Sequence, residues 1–402
     1  MLCILFDKIK SQSILSLKKN KLFKLATVPI TLNLLLKGQL NYLSSYFEVH
    51  AISGQGKDLD LVSFREEVKI KPISFRRKIS LIYDLVSLIK LCIYFIKEKP
   101  EIIHSITPKA GLISMLAGKI SGVPIRVHTF TGLVFPNKKG LFQKLLILTD
   151  KILCWASTNV YAEGKGVKFD LLNYKITDKE IKIIANGNIN GIDCEYFDKN
   201  QVSEAEINSL RLQYKIANDD FIFLFVGRIV GDKGINELVS AFLKLKNSKT
   251  KLILLGSFEM NLDPILPQTL ETIHTCTEII CPGFQEDVRK FYAISNVYVL
   301  PSYREGFPNS LLQAGSMCLP SIVSNVNGCN EIIKNGINGI VIPPMDVEAL
   351  YLSMSMLSQN HSYRNSLSSN SREIVFSNYT NKLVWESLVI EYNQLLKNKS
   401  LI

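Results

Sequence analysis

The sequence has no disulfide or zinc framework. Its eight cysteines, at positions 3, 92, 154, 194, 276, 281, 318 and 329, form no Cys-x-x-Cys pair and have no histidine partners at zinc-ligand spacing. They read as reduced, mostly buried thiols of a cytoplasmic protein. Export is not expected either: the apolar run at residues 2–6 stops at Asp7 and Lys8, too short for a secretory core. The most apolar long stretch, residues 79–96, is interrupted by Asp84 and Lys90. A membrane-crossing helix needs ~20 predominantly apolar residues, so an amphipathic or core helix is expected there. Internal repeats, low-complexity tracts and basic-aromatic nucleic-acid motifs are also missing, which leaves net charge as the sole argument for nucleic acid as a partner. The Asp-x-Asp element that holds a metal on a diphosphate is not found after any expected strand. Asp58-Leu59-Asp60 matches the letters but falls in the polar loop expected after Ile52, so neither a metal site nor a cofactor is expected.

What is present is an ordinary globular composition, 47% hydrophobic and 21% charged, over 402 residues. Single cores stop growing at roughly 250–300 residues, so two domains with a cleft between them are expected. The charge is uneven. Residues 1–200 carry 30 Lys/Arg against 17 Asp/Glu, a net +13, whereas residues 201–402 carry 17 against 19, a net −2. A basic first half suits an anionic membrane, a phosphorylated substrate or nucleic acid, and charge alone does not choose among them.

The hydrophobic pattern alternates strand and helix. Residues 22–28 read as a strand, 29–31 as a loop, 32–47 as a helix and 48–52 as a strand. Helix 81–97, strand 102–105, helix 111–121 and strand 125–129 follow. A second series runs through strand 221–226, helix 235–246, strand 251–255, helix 288–294, strand 297–300, helix 309–317 and strand 321–323. Strands separated by helices imply parallel sheets, so the expected fold class is α/β, with two Rossmann-like, doubly wound domains facing a crevice. The polar stretch 186–206 is the expected linker. The expected domains are 1–190 on the acceptor side, with residues 1–20 a possible extension, 191–380 on the donor side, and a terminal helical segment 381–402.

Two motifs follow strands of the second series. After 221–226 come Gly227, Arg228, Gly231, Lys233 and Gly234, glycines in a strand-to-helix turn with two cations. Glycines admit a diphosphate to the backbone, the next helix offers free N–H groups, and Arg228 and Lys233 neutralise charge on a leaving phosphate. After 297–300 come Glu305, Gly306, Phe307, Asn309, Ser310 and Gln313. A crevice carboxylate at Glu305 accepts hydrogen bonds from sugar hydroxyls, and Asn309 with nearby amides suits a phosphate. As bare patterns the same residues also fit a plain loop with solvated cations and a first-turn helix acid.

These motifs, in this order, resemble the family-four, GT-B glycosyltransferases, whose signature is a Glu, seven residues and a second Glu. Here Glu305 matches the first and Gln313 stands in place of the second. The resemblance runs from Leu22 onward and is nearest to bacterial capsule and O-antigen (lipopolysaccharide) glycosyltransferases. Other marks are the segments 104–111, 190–193, 256–259, 283–288, 327–331 and Asn338-Gly339. It implies that Glu305 contacts the donor sugar, that Gln313 meets the ribose with an amide in place of a carboxylate, and that Gly227, Gly306, Phe307, Asn309 and Ser310 complete the donor site. Many members carry a crevice histidine where this chain has Thr131. Thr131, Lys109 and His104 are the acceptor-side candidates.

The resemblance implies retention of anomeric configuration by front-side displacement, with the leaving phosphate helping to deprotonate the acceptor. The expected function is thus transfer of a hexosyl or N-acetylhexosaminyl group from a nucleotide-sugar, in first place a UDP-sugar, to a polyprenyl-diphosphate-linked glycan in surface polysaccharide synthesis. The basic first half and the segment 75–79 suit attachment to the inner face of the cytoplasmic membrane. A nucleotide-sugar epimerase on the same fold and a non-catalytic nucleotide- or glycan-binding subunit are the competing readings.

Overall fold

The computed structural model describes residues 19–76, 80–259 and 263–399. The strands are β1 (Lys21–Leu25), β2 (Glu48–Ser53), β3 (Lys69–Pro72), β4 (Ile102–Ser105), β5 (Ile125–Phe130), β6 (Asn159–Ala162), β7 (Ile181–Lys182), β8 (Phe221–Val226), β9 (Thr250–Leu255), β10 (Ile279–Gly283), β11 (Val297–Leu300), β12 (Ser321–Ser324) and β13 (Gly339–Ile342). They form a seven-stranded sheet in the order β3-β2-β1-β4-β5-β6-β7 and a six-stranded sheet in the order β10-β9-β8-β11-β12-β13. The pairings β1 with β2 and β4, and β8 with β9 and β11, are parallel. The expected α/β class with two parallel sheets is what the chain adopts. Strands such as β8, with the sequence Phe-Ile-Phe-Leu-Phe-Val, are near-continuous apolar runs because a parallel strand is covered on both faces.

Contacts divide the chain into two compact units. One comprises the described residues of Met1–His128, Ile152–Asn159 and Glu391–Ile402; the other comprises those of Thr129–Lys151 and Val160–Ile390. Several local expectations are corrected. The loop expected at 29–31 is the first turn of a helix, Pro29–Leu35, because proline at the first helical position presets φ and forfeits no intrahelical bond. The helix expected at 32–47 is two helices, the second being Gln39–Ser44, broken at Gly38 with φ 80°. Asp58 and Asp60 lie in the first turn of helix Lys57–Glu66 instead of a loop. There they complement the helix dipole, and Asp58 accepts a 2.7 Å hydrogen bond from Asn33. The polar stretch 186–206 is packed: Ile192 bonds the backbone on both sides of Thr380, and the stretch ends in a capping box, Ser203 with Glu206, opening helix Glu204–Gln213. Of the seven described cysteines, Cys154, Cys194 and Cys329 are buried and the other four half-buried; all seven are free thiols. Cys3 and residues 1–18 lie outside the described residues, as do Arg77, Lys78 and Ile79 of the basic segment. No described helix is long and apolar enough to cross a membrane.

In the first unit, Lys24 of β1 is buried beside His104 of β4 and Tyr392 of the terminal helix Asn381–Lys399. Its ammonium lies 3.3 Å from His104 Nδ1 and 3.4 Å from the Tyr392 hydroxyl, which itself stands 2.5 Å from His104 Nδ1. Burial lowers Lys24 to about 7. A lysine in the unfolded chain titrates near 10.5, so between pH 7 and 10.5 the folded chain binds fewer protons than the unfolded one. Stability contributed here therefore rises with pH across that window and is lost as pH falls through 7. Lys24→Met removes this slope, on the order of 1 kcal/mol per pH unit. Urea unfolding of both proteins at several pH values within the window should show the variant's advantage shrinking as pH rises; parallel pH dependences would contradict the assignment.

Candidate active site

Ligands of open α/β sheets bind beyond the carboxyl ends of strands where the strand order reverses. In the second sheet that point lies between β8 and β11. The loop after β8 carries Gly227 and Arg228, tightens into a 3₁₀ turn at Gly231–Lys233 and passes through Gly234 into helix Ile235–Lys244. The loop after β11 carries Glu305 and Gly306 and ends in helix Asn309–Ser316.

The two loops are locked together by main-chain contacts. Gly234 has φ 69°, and a Cβ there would stand 2.1 Å from the Pro301 carbonyl oxygen, so only glycine lets the first loop lie on the second. Tyr303 N–H donates to the Asp232 carbonyl at 2.9 Å, and Arg304 donates to the Asp232 carboxylate at 2.7 Å. The Asp232 N–H is in turn fixed by Asp263 at 2.6 Å. This clamp brings Lys233 Nζ to 2.5 Å from Glu305 Oε1, which also accepts a 2.7 Å bond from Ser302. The two side chains are 16% and 11% exposed, so the charges are largely removed from water and each compensates the other. Arg228 is held apart from this pair by Glu259, at 2.9 Å, with nearly half its side chain open to solvent.

The remaining donor-side residues are anchored from beneath. Asn309 Oδ1 accepts from Asn188 at 2.6 Å. Ser310 Oγ accepts from the Tyr298 hydroxyl at 2.8 Å. The Tyr292 hydroxyl is shared between the Ser310 carbonyl, at 2.9 Å, and Gln313 Oε1, at 3.1 Å. Gln313 thus spends its carbonyl oxygen on a buried tyrosine; a carboxylate there would present that hydroxyl with a charge instead. Phe307 is buried against Tyr379, ring centroids 5.4 Å apart.

Glu163 and Asn188, outside the sequence motifs, and Glu331, from the marked segment 327–331, also belong to this cluster. Glu163, just beyond β6, is buried beside Gly306 and Phe307. Burial, and then the carboxylates of Glu305 and Glu331, hold its carboxyl well above the usual carboxylate range. Glu331 accepts from the N–H groups of Lys165 and Gly166 at 2.6 and 2.9 Å, at the start of helix Lys165–Asn173. Asn188 ties Asn309 to the Phe307 carbonyl. Glu163 and Asn188 lie more than a hundred positions from Glu305, and the one local signal for Glu163 is the glycine pair Gly164 and Gly166 flanking a helix start.

The acceptor-side candidates are placed as follows. The Thr131 carbonyl crowds Gly306 in the second unit. In the first unit, Lys109 is paired with Asp84 at 2.8 Å, and His104 is buried with Lys24 and Tyr392. Burial, followed by the Lys24 charge, holds the His104 imidazole neutral, well below its usual range. His128, with Ser105 at 2.7 Å, is likewise lowered to about 3 by burial. Both imidazoles are buried within that unit. Breaking the Lys233–Glu305 pair from either side leaves the partner uncompensated, so Glu305→Ala and Lys233→Ala should each cut turnover by ~100-fold or more with an unchanged fold by circular dichroism. Full activity in both variants would remove them from the site.

Residues 206–374 match the family Glycosyl transferases group 1, and residues 24–163 match Glycosyl transferase 4-like. The capsular polysaccharide biosynthesis glycosyltransferase CapM of Staphylococcus aureus is 33% identical over 95% of this chain and 99% of its own length. A UDP-Gal:alpha-D-GlcNAc-diphosphoundecaprenol alpha-1,3-galactosyltransferase of Escherichia coli is 29% identical over 68% of this chain and 70% of its own. In fold, HepE of Anabaena, solved with UDP and glucose, superposes with a TM-score of 0.78 at 15% identity, covering 94% of this chain and all of that one. A doubly wound pair of sheets, a cation–carboxylate pair at the switch point of the second, and a relative matched almost end to end converge on one conclusion: the chain belongs to the group 1, GT-B glycosyltransferases.

Proposed function

We propose that this glycosyltransferase moves a hexosyl or N-acetylhexosaminyl group from a UDP-sugar to a polyprenyl-diphosphate-linked glycan, with retention, during capsule-type polysaccharide synthesis. The observation that carries the reading is the Lys233–Glu305 pair, 2.5 Å apart at the carboxyl ends of β8 and β11. A carboxylate held there by one oxygen accepts hydrogen bonds from sugar hydroxyls, while the ammonium beside it and the solvent-facing Arg228 neutralise the departing diphosphate. These cations give the leaving group its counter-charge without a metal ion in this reading, and the leaving phosphate takes the acceptor proton. The names of the two relatives support the acceptor class and the uridine donor, since one makes capsule and the other uses UDP-Gal on a diphosphoundecaprenol glycan.

A lipid-linked acceptor calls for attachment to a membrane, and the first unit carries a face suited to it. On helix Leu81–Glu98, Ile82, Leu85, Val86, Ile89, Ile93 and Ile96 are exposed at helical spacing, with Lys90 and Lys97 exposed alongside. The two acids of the helix are both neutralised within the unit, Asp84 by Lys109 and Glu98 by Lys21, each at 2.8 Å. What faces water is therefore apolar and cationic, the pattern of an interfacial helix on anionic lipid, where each basic residue contributes about 1 kcal/mol. Trp155, 61% exposed with Lys119 at 4.2 Å from its ring, adds an interfacial aromatic in the same unit.

Two measurements check this reading. Thermal shift with UDP, GDP and their sugars, without added metal, should show stabilisation by the uridine set; stabilisation by GDP alone would reassign the donor, and a shift that appears only with a divalent ion would contradict the cation-based account. In flotation with anionic liposomes at low salt, the protein should rise with the vesicles and the Ile89→Glu/Ile93→Glu double variant should stay behind. No flotation of the parent protein would contradict membrane attachment.

A further inference from the structure

Glu163 lies where an acid is costly. It is buried in the second unit, where the carboxylates of Glu305 and Glu331 both act on it, the first bound to Lys233 and the second to the N–H groups of Lys165 and Gly166. An ionised group there would face two like charges away from water. A chain that needed only to fill this space has leucine or methionine available, so the carboxyl must hold something.

What it holds is the turn that follows Glu305. Gly306 has no side chain to spare: a Cβ on it would stand 1.9 Å from Glu163 Oε1 and 2.6 Å from the Thr131 carbonyl oxygen. The Phe307 N–H donates to the same carboxyl. From its main chain, the Glu163 carbonyl accepts a 2.7 Å bond from Asn188 N–H, and Asn188 Nδ2 donates to the Phe307 carbonyl and, at 2.6 Å, to Asn309. One residue therefore grips the Gly306–Asn309 segment directly through its side chain and indirectly through Asn188.

We propose that Glu163 is a positioning residue for the transfer reaction: its buried carboxyl fixes the Gly306–Phe307 turn and thereby sets where the Glu305 carboxylate stands. The proposal rests on the glycosyl-transfer reading of Glu305. Its chemistry is a single reversible protonation, and no bond to substrate is made by Glu163. Burial beside two carboxylates favours the protonated form; when the proton leaves to water, a second negative charge appears beside Glu305, and repulsion between the two carboxylates displaces the turn from the geometry that Lys233 and Ser302 impose on Glu305.

The test uses the full-length chain and the variants E163Q and E163A. Glutamine keeps the shape, the acceptor for Phe307 N–H and a donor, but carries no charge at any pH. At neutral pH E163A should lower kcat by ~100-fold through misplacement of Glu305, and E163Q should restore most of it. The parent enzyme should lose kcat on the alkaline side, and E163Q should lack that limb. Stability gives a readout independent of turnover. A carboxyl whose folded pKa is raised contributes stability that is fully present below the unfolded value and lost as pH rises through the folded one. The melting temperature of the parent protein should therefore fall relative to that of E163Q as pH rises above the usual carboxylate range. E163Q as impaired as E163A, or with an unchanged alkaline limb, overturns the positioning role. Parallel melting curves for parent and E163Q across pH overturn the neutral acid, even if the chain turned over no sugar. Failure of the transfer reading alone would instead leave the melting difference in place with no turnover in any variant.

Discussion

The ion pair between Lys233 and Glu305 is the constraint on which the second unit's site depends. It couples two loops that belong to different strands, and main-chain and side-chain contacts hold those loops together: Gly234 lies on the Pro301 carbonyl, and Asp232 is bound by Tyr303 and Arg304. A largely buried pair contributes little net stability, because desolvation offsets its attraction, yet removing either member leaves an uncompensated charge. Its value is therefore geometric. It holds a carboxylate at a defined place with one oxygen committed, which is what recognition of sugar hydroxyls requires.

Around this pair the chain concentrates acids where cations would be expected for a diphosphate. Glu163, Glu305 and Glu331 converge, and each is managed differently: one by an ammonium, one by the N–H groups at a helix start, one by staying protonated. Arg228, tied to Glu259, and Arg304, tied to Asp232, both face solvent. In the first unit the logic is reversed. The acids of helix Leu81–Glu98 are consumed by Lys109 and Lys21, so the helix presents Lys90 and Lys97 beside an exposed apolar stripe. That distribution matches a protein whose donor is small and polar and whose acceptor is carried in a membrane.

Much of this was legible in the residues. Strands β4, β8 and β11 run between the bounds their apolar runs suggest, because a parallel strand covered on both faces reads as a near-continuous apolar run. Glu305 and Lys233 were identifiable because a strand end, a glycine turn and a helix start occur together in sequence. The helix break at Gly38 and the helical setting of Asp58 were not, since a single glycine and a few acids are equally at home in loops. Glu163 was invisible for a different reason. A lone glutamate between Ala162 and Gly164 carries no local mark of burial; its role is created by Gly306 and Phe307, far along the chain, and by the close approach that glycine allows. Likewise the partners of Lys109 and His104 are side chains on other elements, which no periodicity discloses.

The central claim is that the pair at the switch point serves transfer to a second molecule. It is tested most directly by following nucleotide release from a UDP-sugar with and without a short polyprenyl-diphosphate-linked glycan, and by reading the anomeric configuration of the product by NMR. The account predicts release that depends on the acceptor and a product with the donor's configuration; release indifferent to the acceptor, or an inverted product, would contradict it.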